Sequence, residues 1–177
     1  MFKKVLIATD GSDHGTKAVE VGSDIAAKNS ADVLLLHVLL RNELSENLRH
    51  MAEVEHLTAE GGHPLSTAIA NIPGGKFPTD IMFSGEDLVT PYSVLTAVGE
   101  HVLQQAEKIA HDHGVGQVTK RIEDGDIVKR ILDVINEEDV DLVVTGARGL
   151  SGLKELFVGS VSQKLSHLSP VTHVTVR

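Results

Sequence analysis

Three short runs of nearly continuous apolar residues constrain the fold of this chain most strongly. They are Lys3–Thr9 (KKVLIAT), Asp32–Leu40 (DVLLLHVLL) and Val140–Thr145 (VDLVVT). Runs of this length are typical of strands that are buried on both faces of a parallel sheet. Because parallel strands are joined by crossover connections, which are usually helices, we expect strands and helices to alternate along the chain.

Helices are predicted between the strands because apolar residues recur there at helical spacing. Ser12 or Asp13 can cap the first helix and Asp126 can cap the third. Gly114 suits the left-handed turn that ends the second helix. The predicted helices cover about 14–29, 92–113 and 127–138, and a last one opens at 159–160.

The order of these elements predicts an α/β fold, a doubly wound sheet of five parallel strands with helices on both faces. Gln117–Ile122 is expected as an edge strand before a turn at 123–126, and Val171–Val176 as the last strand. If the first strand is central, the strand order reverses between the first and fourth strands, and ligands bind outside the carboxyl ends there. Asp10 follows the first strand and Gly146 ends the fourth, so a site is predicted between them.

Residues 41–95 interrupt the alternation and are interpreted as an insertion after the second strand, inside a single domain that spans 1–177. Residues 41–60 have the leucine spacing of an amphipathic helix, and 61–91 are rich in glycine and proline. Two interpretations stay open. The insertion could form a lid or a partner-docking surface, or it could be a surface excursion whose leucines cover part of the sheet.

A glycine pattern lies between the fourth strand and the last helix. Glycines let backbone N–H groups approach an anion closely, and a helix start adds unpaired donors and partial positive charge. We therefore predict a phosphate cradle, with ATP as the favoured ligand. The alternative is a plain glycine-rich connection that ends in a capping box, Ser160-x-x-Gln163. The pattern reads Gly146-x2-Gly149-x9-Gly159-Ser160.

Composition narrows the classes of function. The net charge of −9, the single Tyr and the absence of Trp argue against a nucleic-acid-binding surface. The absence of Cys excludes disulfides, thiol catalysis and cysteine zinc sites. The N-terminal MFKKVLIATDGSD becomes acidic too early for a signal peptide, and no apolar run has membrane-spanning length, so we expect a cytoplasmic protein without membrane insertion.

The ten histidines raise the alternative of a metal-binding protein. Their spacing places no recognised ligand set on one helix face, so solvated side chains are the favoured interpretation. His37 lies in a buried strand and is expected to be a hydrogen-bonded core residue. The histidines considered for a metal site are His50, His56, His63, His111 and His113.

Four stretches of the chain resemble the nucleotide-binding universal stress proteins: VLIATDGSDHGTKAV, LLHVL, DVDLVVTGARGLSGLKELFVGSVSQKL and SPVTHVTVR. They cover residues 1–40 and about 98–177. The resemblance implies the strand order 3-2-1-4-5, an adenine nucleotide as ligand (ATP, ADP or AMP), and a homodimer whose last strands, 171–176, pair. The last strand departs from the family pattern, since His173 and its neighbouring threonines replace aliphatic residues.

The resemblance also implies roles for individual residues. Asp10 matches the aspartate near the ribose and adenosine end, Val38 matches the residue whose backbone meets the adenine edge, and Ala8 lies beside it. A divalent ion such as Mg²⁺ or Mn²⁺ bridging the phosphates is consistent with the family, with Asp10 or Asp13 contributing through water. The phosphates are assigned to Gly146, Gly149, Gly159 and Ser160. Arg148 and Ser151 lie in the same loop, and we expect them to help although the family pattern varies at their positions.

Two functions follow from these predictions. The favoured one is a stress-response regulatory protein whose ATP occupancy sets its conformation or its choice of partner. The alternative is a slow ATP-hydrolysing or adenylating enzyme of a related α/β class. The sequence has no SGGxDS, GxxxxGK[ST] or HIGH-type motif, and phosphoryl transfer requires more charge neutralisation than one Arg with neighbouring Lys supplies. No catalytic residue is assigned.

Overall fold

A computed structural model describes residues 1–39, 92–149 and 159–177. The proposed insertion lies outside the described residues, apart from 92–95, which belong to a helix. The predicted helix over 41–60, the predicted loop over 61–91 and Ser151 lie outside them as well.

The described residues form five strands and four helices in alternating order. The strands are β1 (Lys4–Ala8), β2 (Asp32–Leu39), β3 (Val118–Asp124), β4 (Leu142–Gly146) and β5 (Thr172–Val176). The helices are α1 (Asp13–Asn29), α2 (Tyr92–Asp112), α3 (Ile127–Glu137) and α4 (Ser160–Leu168). The prediction of a turn at Glu123 and Asp124 is wrong, because both residues continue the pairing of β3 with β2.

All five strands are parallel and lie in the order β3-β2-β1-β4-β5, which confirms the predicted fold class and strand order. β1 is central, because Ala8 aligns with Leu36 of β2 on one side and with Thr145 of β4 on the other. The strand order therefore reverses between β1 and β4, where the carboxyl ends of both strands lie side by side.

Alternate residues of each strand face opposite sides of the sheet, and each side has its own apolar core. On one side α1 and α2 pack on Ile7, Leu35 and Val144. On the other side α3 and α4 pack on Leu36 and Val143. Continuous apolar strands are explained by this two-sided burial, since both sets of side chains leave water.

The sequence predictions at the helix ends are confirmed for α1, α2 and α3. Ser12 caps α1, and its Oγ accepts a hydrogen bond from the Gly15 N–H at 3.1 Å. Asp126 caps α3 by accepting from the Lys129 N–H at 2.8 Å. Gly114 follows α2 with φ of +85°. Within the described ranges, no helix combines the length and apolar character that crossing a membrane requires.

Gly22 allows α1 to lie close to the sheet, and its replacement tests this contact. A Cβ at Gly22 would lie 2.7 Å from Ile7 Cδ1 and 3.4 Å from Val144 Cγ2, and both of these side chains are fully buried. We expect Gly22→Val to lower the free energy of unfolding by about 2 kcal/mol, because extra methyl groups overpack the core. Urea denaturation followed by circular dichroism measures this loss.

The matched control is Gly116→Val, since a Cβ at Gly116 would meet no atom within 4 Å. This substitution should change the free energy of unfolding by less than about 0.5 kcal/mol. Equal losses in the two variants would contradict a specific contact at Gly22.

Candidate functional site

A cleft opens at the carboxyl ends of β1 and β4, where the strand reversal predicts a site. It brings together the end of β1, the loop that follows β4, the start of α4 and one face of α3. The lining residues are Ala8, Thr9, Asp10, Gly15, Leu36, Val38, Ile127, Ile131, Thr145, Gly146, Ala147, Arg148, Gly149, Gly159, Ser160, Val161 and Ser162. Every residue predicted for the nucleotide site lines this cleft, except Ser151, which lies outside the described residues.

The Asp10 carboxylate is held in place by the first turn of α1. Its Oδ1 accepts hydrogen bonds from the Ser12 N–H at 3.0 Å and from the Ser12 hydroxyl at 2.6 Å. Oδ2 lies against Gly149, so closely that a Cβ there would overlap it. Asp10 and Gly149 are 139 positions apart in the sequence. The fold therefore joins the two halves of the predicted site.

Two glycines bring the loop after β4 close to neighbouring backbone. A Cβ at Gly146 would lie 2.8 Å from the carbonyl oxygen of His14. A Cβ at Gly159 would lie 3.1 Å from the carbonyl oxygen of Ala147, and the Gly159 N–H donates to that same oxygen at 2.7 Å. Larger residues would push these segments apart and change the shape of the cleft.

Helix α4 begins without a side-chain cap. Its N-cap is Gly159, so the prediction of a capping box at Ser160 and Gln163 is wrong. Ser160 is already the first helical residue, so its hydroxyl stands one position too late to cap the helix. Ser162 instead ties the helix to the preceding loop, because its single hydroxyl proton is shared between the carbonyl oxygens of Gly159 at 3.0 Å and Ala147 at 3.2 Å. An uncapped helix start attracts anions through its N–H groups and its dipole.

An apolar wall lines the same cleft as this helix start. It consists of Leu36 and Val38 from β2 and Ile127 and Ile131 from α3. Val38 was predicted from the family resemblance, but the two isoleucines of α3 were assigned to the core alone. Because α3 runs antiparallel to the strands, its first two turns lie at the carboxyl edge of the sheet. The order of strands and helices in the sequence already implies this direction of α3, so it could have identified both residues.

Among the described residues that line the cleft, Asp10 and Arg148 carry charge. Asp13, the other carboxylate considered for a metal ion, is exposed and does not line the cleft. Within 1–39, 92–149 and 159–177, no cluster of three or more His, Asp or Glu could hold a metal ion. Of the described residues that line the cleft, Asp10 is the carboxylate that could contribute to a divalent ion held by phosphate oxygens.

The two candidate metal-site histidines that the structure describes, His111 and His113, have separate partners. Nδ1 of His113 is 2.7 Å from Asp24 Oδ1, whereas Nδ1 of His111 is 3.1 Å from the carbonyl oxygen of Val115. The three histidines of the insertion lie outside the described residues. His37 is buried as predicted, and its Nδ1–H donates to the Thr9 carbonyl at 3.0 Å. Burial lowers the pKa of His37 below the ordinary histidine value, against the opposing effect of this hydrogen bond and of Asp10.

Comparison with known proteins adds an independent line of evidence. The universal stress protein YxiE of Bacillus subtilis is 29% identical over 178 residues, and the alignment covers 100% of each chain. A universal stress protein solved in complex with cAMP has a TM-score of 0.59 and 20% identity, covering 99% of this chain and 97% of that chain.

A universal stress protein from Archaeoglobus fulgidus, solved in complex with dAMP, also has a TM-score of 0.59. It is 15% identical and covers 100% of this chain and 98% of that chain. At these identities the two structures establish a shared fold. The family model described as "Universal stress protein family" matches residues 1–177. The chain belongs to the universal stress protein family.

Proposed function

We propose that this protein binds an adenine nucleotide in the cleft between β1 and β4. The observation that carries the proposal is that an apolar wall and an uncapped helix start line one cleft. An adenine ring would lie against Val38 and the two isoleucines of α3. The phosphates would lie at the start of α4, where N–H groups and the helix dipole favour negative charge.

The ligands of the structural relatives support this choice. One is in complex with cAMP and the other with dAMP, and these molecules share an adenine base and a single phosphate group. ATP, ADP and AMP all contain the same two parts, and we propose ATP as the main ligand. Mass spectrometry of nucleotide that copurifies with the protein tests this assignment, and a preparation that binds no adenine nucleotide in calorimetry would refute it.

We further propose that nucleotide occupancy regulates the protein. The Ala147 N–H, in the loop that lines the cleft, donates to the Val176 carbonyl at the end of β5 at 2.6 Å. Movement of this loop around a ligand would therefore act on β5, an edge strand through which we propose that residues 171–176 form a homodimer. Sedimentation equilibrium without ATP tests whether the protein forms a homodimer. The same measurement with ATP tests whether nucleotide occupancy changes that state. Multiple-turnover ATP hydrolysis that depends on the cleft would instead favour the enzymatic alternative.

The Asp10 carboxylate is proposed to accept a hydrogen bond from the ribose. Asp10→Asn keeps an oxygen for the hydrogen bonds from Ser12 but removes the charge. We expect this variant to bind both adenosine and AMP about tenfold more weakly, the usual loss for a hydrogen bond to a charged group. Calorimetric titration measures both affinities.

Asp13→Asn is the control for this variant, because Asp13 is exposed and does not line the cleft. Tighter AMP binding by Asp10→Asn, with unchanged adenosine binding, would contradict the ribose assignment. That result would place the carboxylate beside the phosphates, where its removal relieves repulsion.

The glycine at the start of α4 is proposed to admit the phosphates. We expect Gly159→Val to reduce ATP affinity by at least about a hundredfold and adenosine affinity much less, because a side chain here would push the loop at Ala147 away from the start of α4 and change the phosphate end of the cleft. Gly116→Val, at a position with open space, should leave both affinities unchanged. Equal losses for ATP and adenosine in a variant with a native circular dichroism spectrum would count against a phosphate site at α4.

A further inference from the structure

A chain of polar side chains leads from β5 to the floor of the cleft. His173 Nε2 is 2.9 Å from the hydroxyl of Thr145, which is 4% exposed and lines the cleft. His173 Nδ1 is 3.2 Å from the hydroxyl of Ser166 in α4. The Ser166 hydroxyl donates to the Ser162 carbonyl at 2.8 Å. His173 therefore connects the edge of the sheet, the cleft and helix α4.

The position of His173 follows from the pairing of the strands. His173 aligns with Val143 of β4, and Val143 belongs to the core beneath α3 and α4. Neighbouring parallel strands point aligned side chains to the same face, so the imidazole lies under α4. It is thereby brought to the side of the sheet on which the cleft opens.

The number of available protons fixes the direction of each hydrogen bond. The single hydroxyl proton of Ser166 is used in its bond to the Ser162 carbonyl, which can only accept. Ser166 must therefore accept from His173, and neutral His173 carries its proton on Nδ1. Nε2 is then an acceptor, and the Thr145 hydroxyl donates its proton to it. In this state Thr145 offers the cleft only lone pairs, which repel an anion.

Protonation of His173 reverses the direction of the hydrogen bond between its Nε2 and the Thr145 hydroxyl. With a proton on each ring nitrogen, Nε2–H donates to Thr145, and the Thr145 hydroxyl is free to donate into the cleft. Its proton can then reach an anionic oxygen of a ligand, and hydrogen bonds to charged oxygens are stronger than those between neutral groups. Protonation of His173 at the sheet edge thus changes the Thr145 hydroxyl, which lines the cleft, from a hydrogen-bond acceptor to a donor.

We propose that His173 is a positioning residue that sets the donor or acceptor state of Thr145, so that nucleotide binding in this cleft takes up a proton on His173. The proposal rests on the proposed function, because it assigns the anion to a nucleotide phosphate. It also gives His173 a role at a strand position where the family resemblance leads to an aliphatic residue.

The surroundings of His173 disfavour its protonated form in the absence of a ligand. Burial lowers its pKa below the ordinary histidine value. The titratable groups nearest along α4 and β5 are Lys164, His167 and Arg177, all of them exposed, and β4 has no titratable residue. α1 packs on the opposite face of the sheet, with Asp13, His14, Lys17, Glu20, Asp24 and Lys28. Asp10 and Arg148 line the cleft with opposite charges. A bound phosphate would add negative charge there, and this charge would raise the pKa of His173.

The direction of the pH effect follows from that rise. Since bound His173 has the higher pKa, binding takes up protons and affinity increases as pH falls through the histidine range. AMP is the probe, with affinities measured by calorimetry at about pH 7.5 and about pH 5.5, which bracket the ordinary histidine pKa. The two proteins compared are wild type and His173→Gln, whose side chain cannot be protonated. The titration of the AMP phosphate is common to both and cancels in the ratio of their dissociation constants.

We divide the dissociation constant of His173→Gln by that of wild type at each pH. We expect this ratio to be about tenfold larger at the lower pH than at the higher pH. Thr145→Val should remove the same pH effect although His173 is still present. His167→Gln, which changes an exposed histidine of α4, should behave as wild type. In wild type, the NMR titration midpoint of His173 should move to higher pH when AMP is added.

A constant ratio of the His173→Gln and wild-type dissociation constants across this range would overturn the role of His173 and leave nucleotide binding intact. The same conclusion would follow if AMP left the His173 midpoint unchanged. Failure of wild type to bind AMP at either pH would instead refute the proposed function, and this inference with it.

Discussion

The position of β1 between β2 and β4 is the constraint on which the rest of the structure depends. Because its hydrogen-bonding groups are engaged on both sides, the carboxyl ends of β1 and β4 must open next to each other at the same edge of the sheet. Helices packed on both faces then leave a gap at this edge, where the chain leaves the two strands in opposite directions. The cleft is thus a consequence of topology before any side chain is considered.

Side chains and glycines give this gap its chemical character. Asp10 is fixed through Ser12 and lies against Gly149, so the carboxylate and the glycine loop are mutually dependent. The apolar wall and the uncapped start of α4 provide surfaces of opposite polarity. A ligand with an apolar ring at one end and an anion at the other matches this arrangement, and it underlies the proposed binding of an adenine nucleotide.

The cleft is also connected to the edge of the sheet. The loop after β4 is bonded to the end of β5 through Ala147 and Val176, and the floor of the cleft is bonded to β5 through Thr145 and His173. Both links run between neighbouring strands and need no long path through the protein. In the proposed function they would let an event at the cleft alter the edge strand, and a change at the edge alter the cleft.

The sequence alone determined the fold class, the helix cap at Asp126, and the placement of Asp10 and the glycine pattern at one strand reversal. These features depend on local spacing and on the general behaviour of parallel sheets, which sequence patterns report directly. Only the tertiary structure decided that Ile127 and Ile131 line the cleft, that Gly159 rather than Ser160 caps α4, and that His173 reaches Thr145. Each of these outcomes depends on how elements distant in sequence are oriented and aligned, and packing of the whole chain sets that geometry.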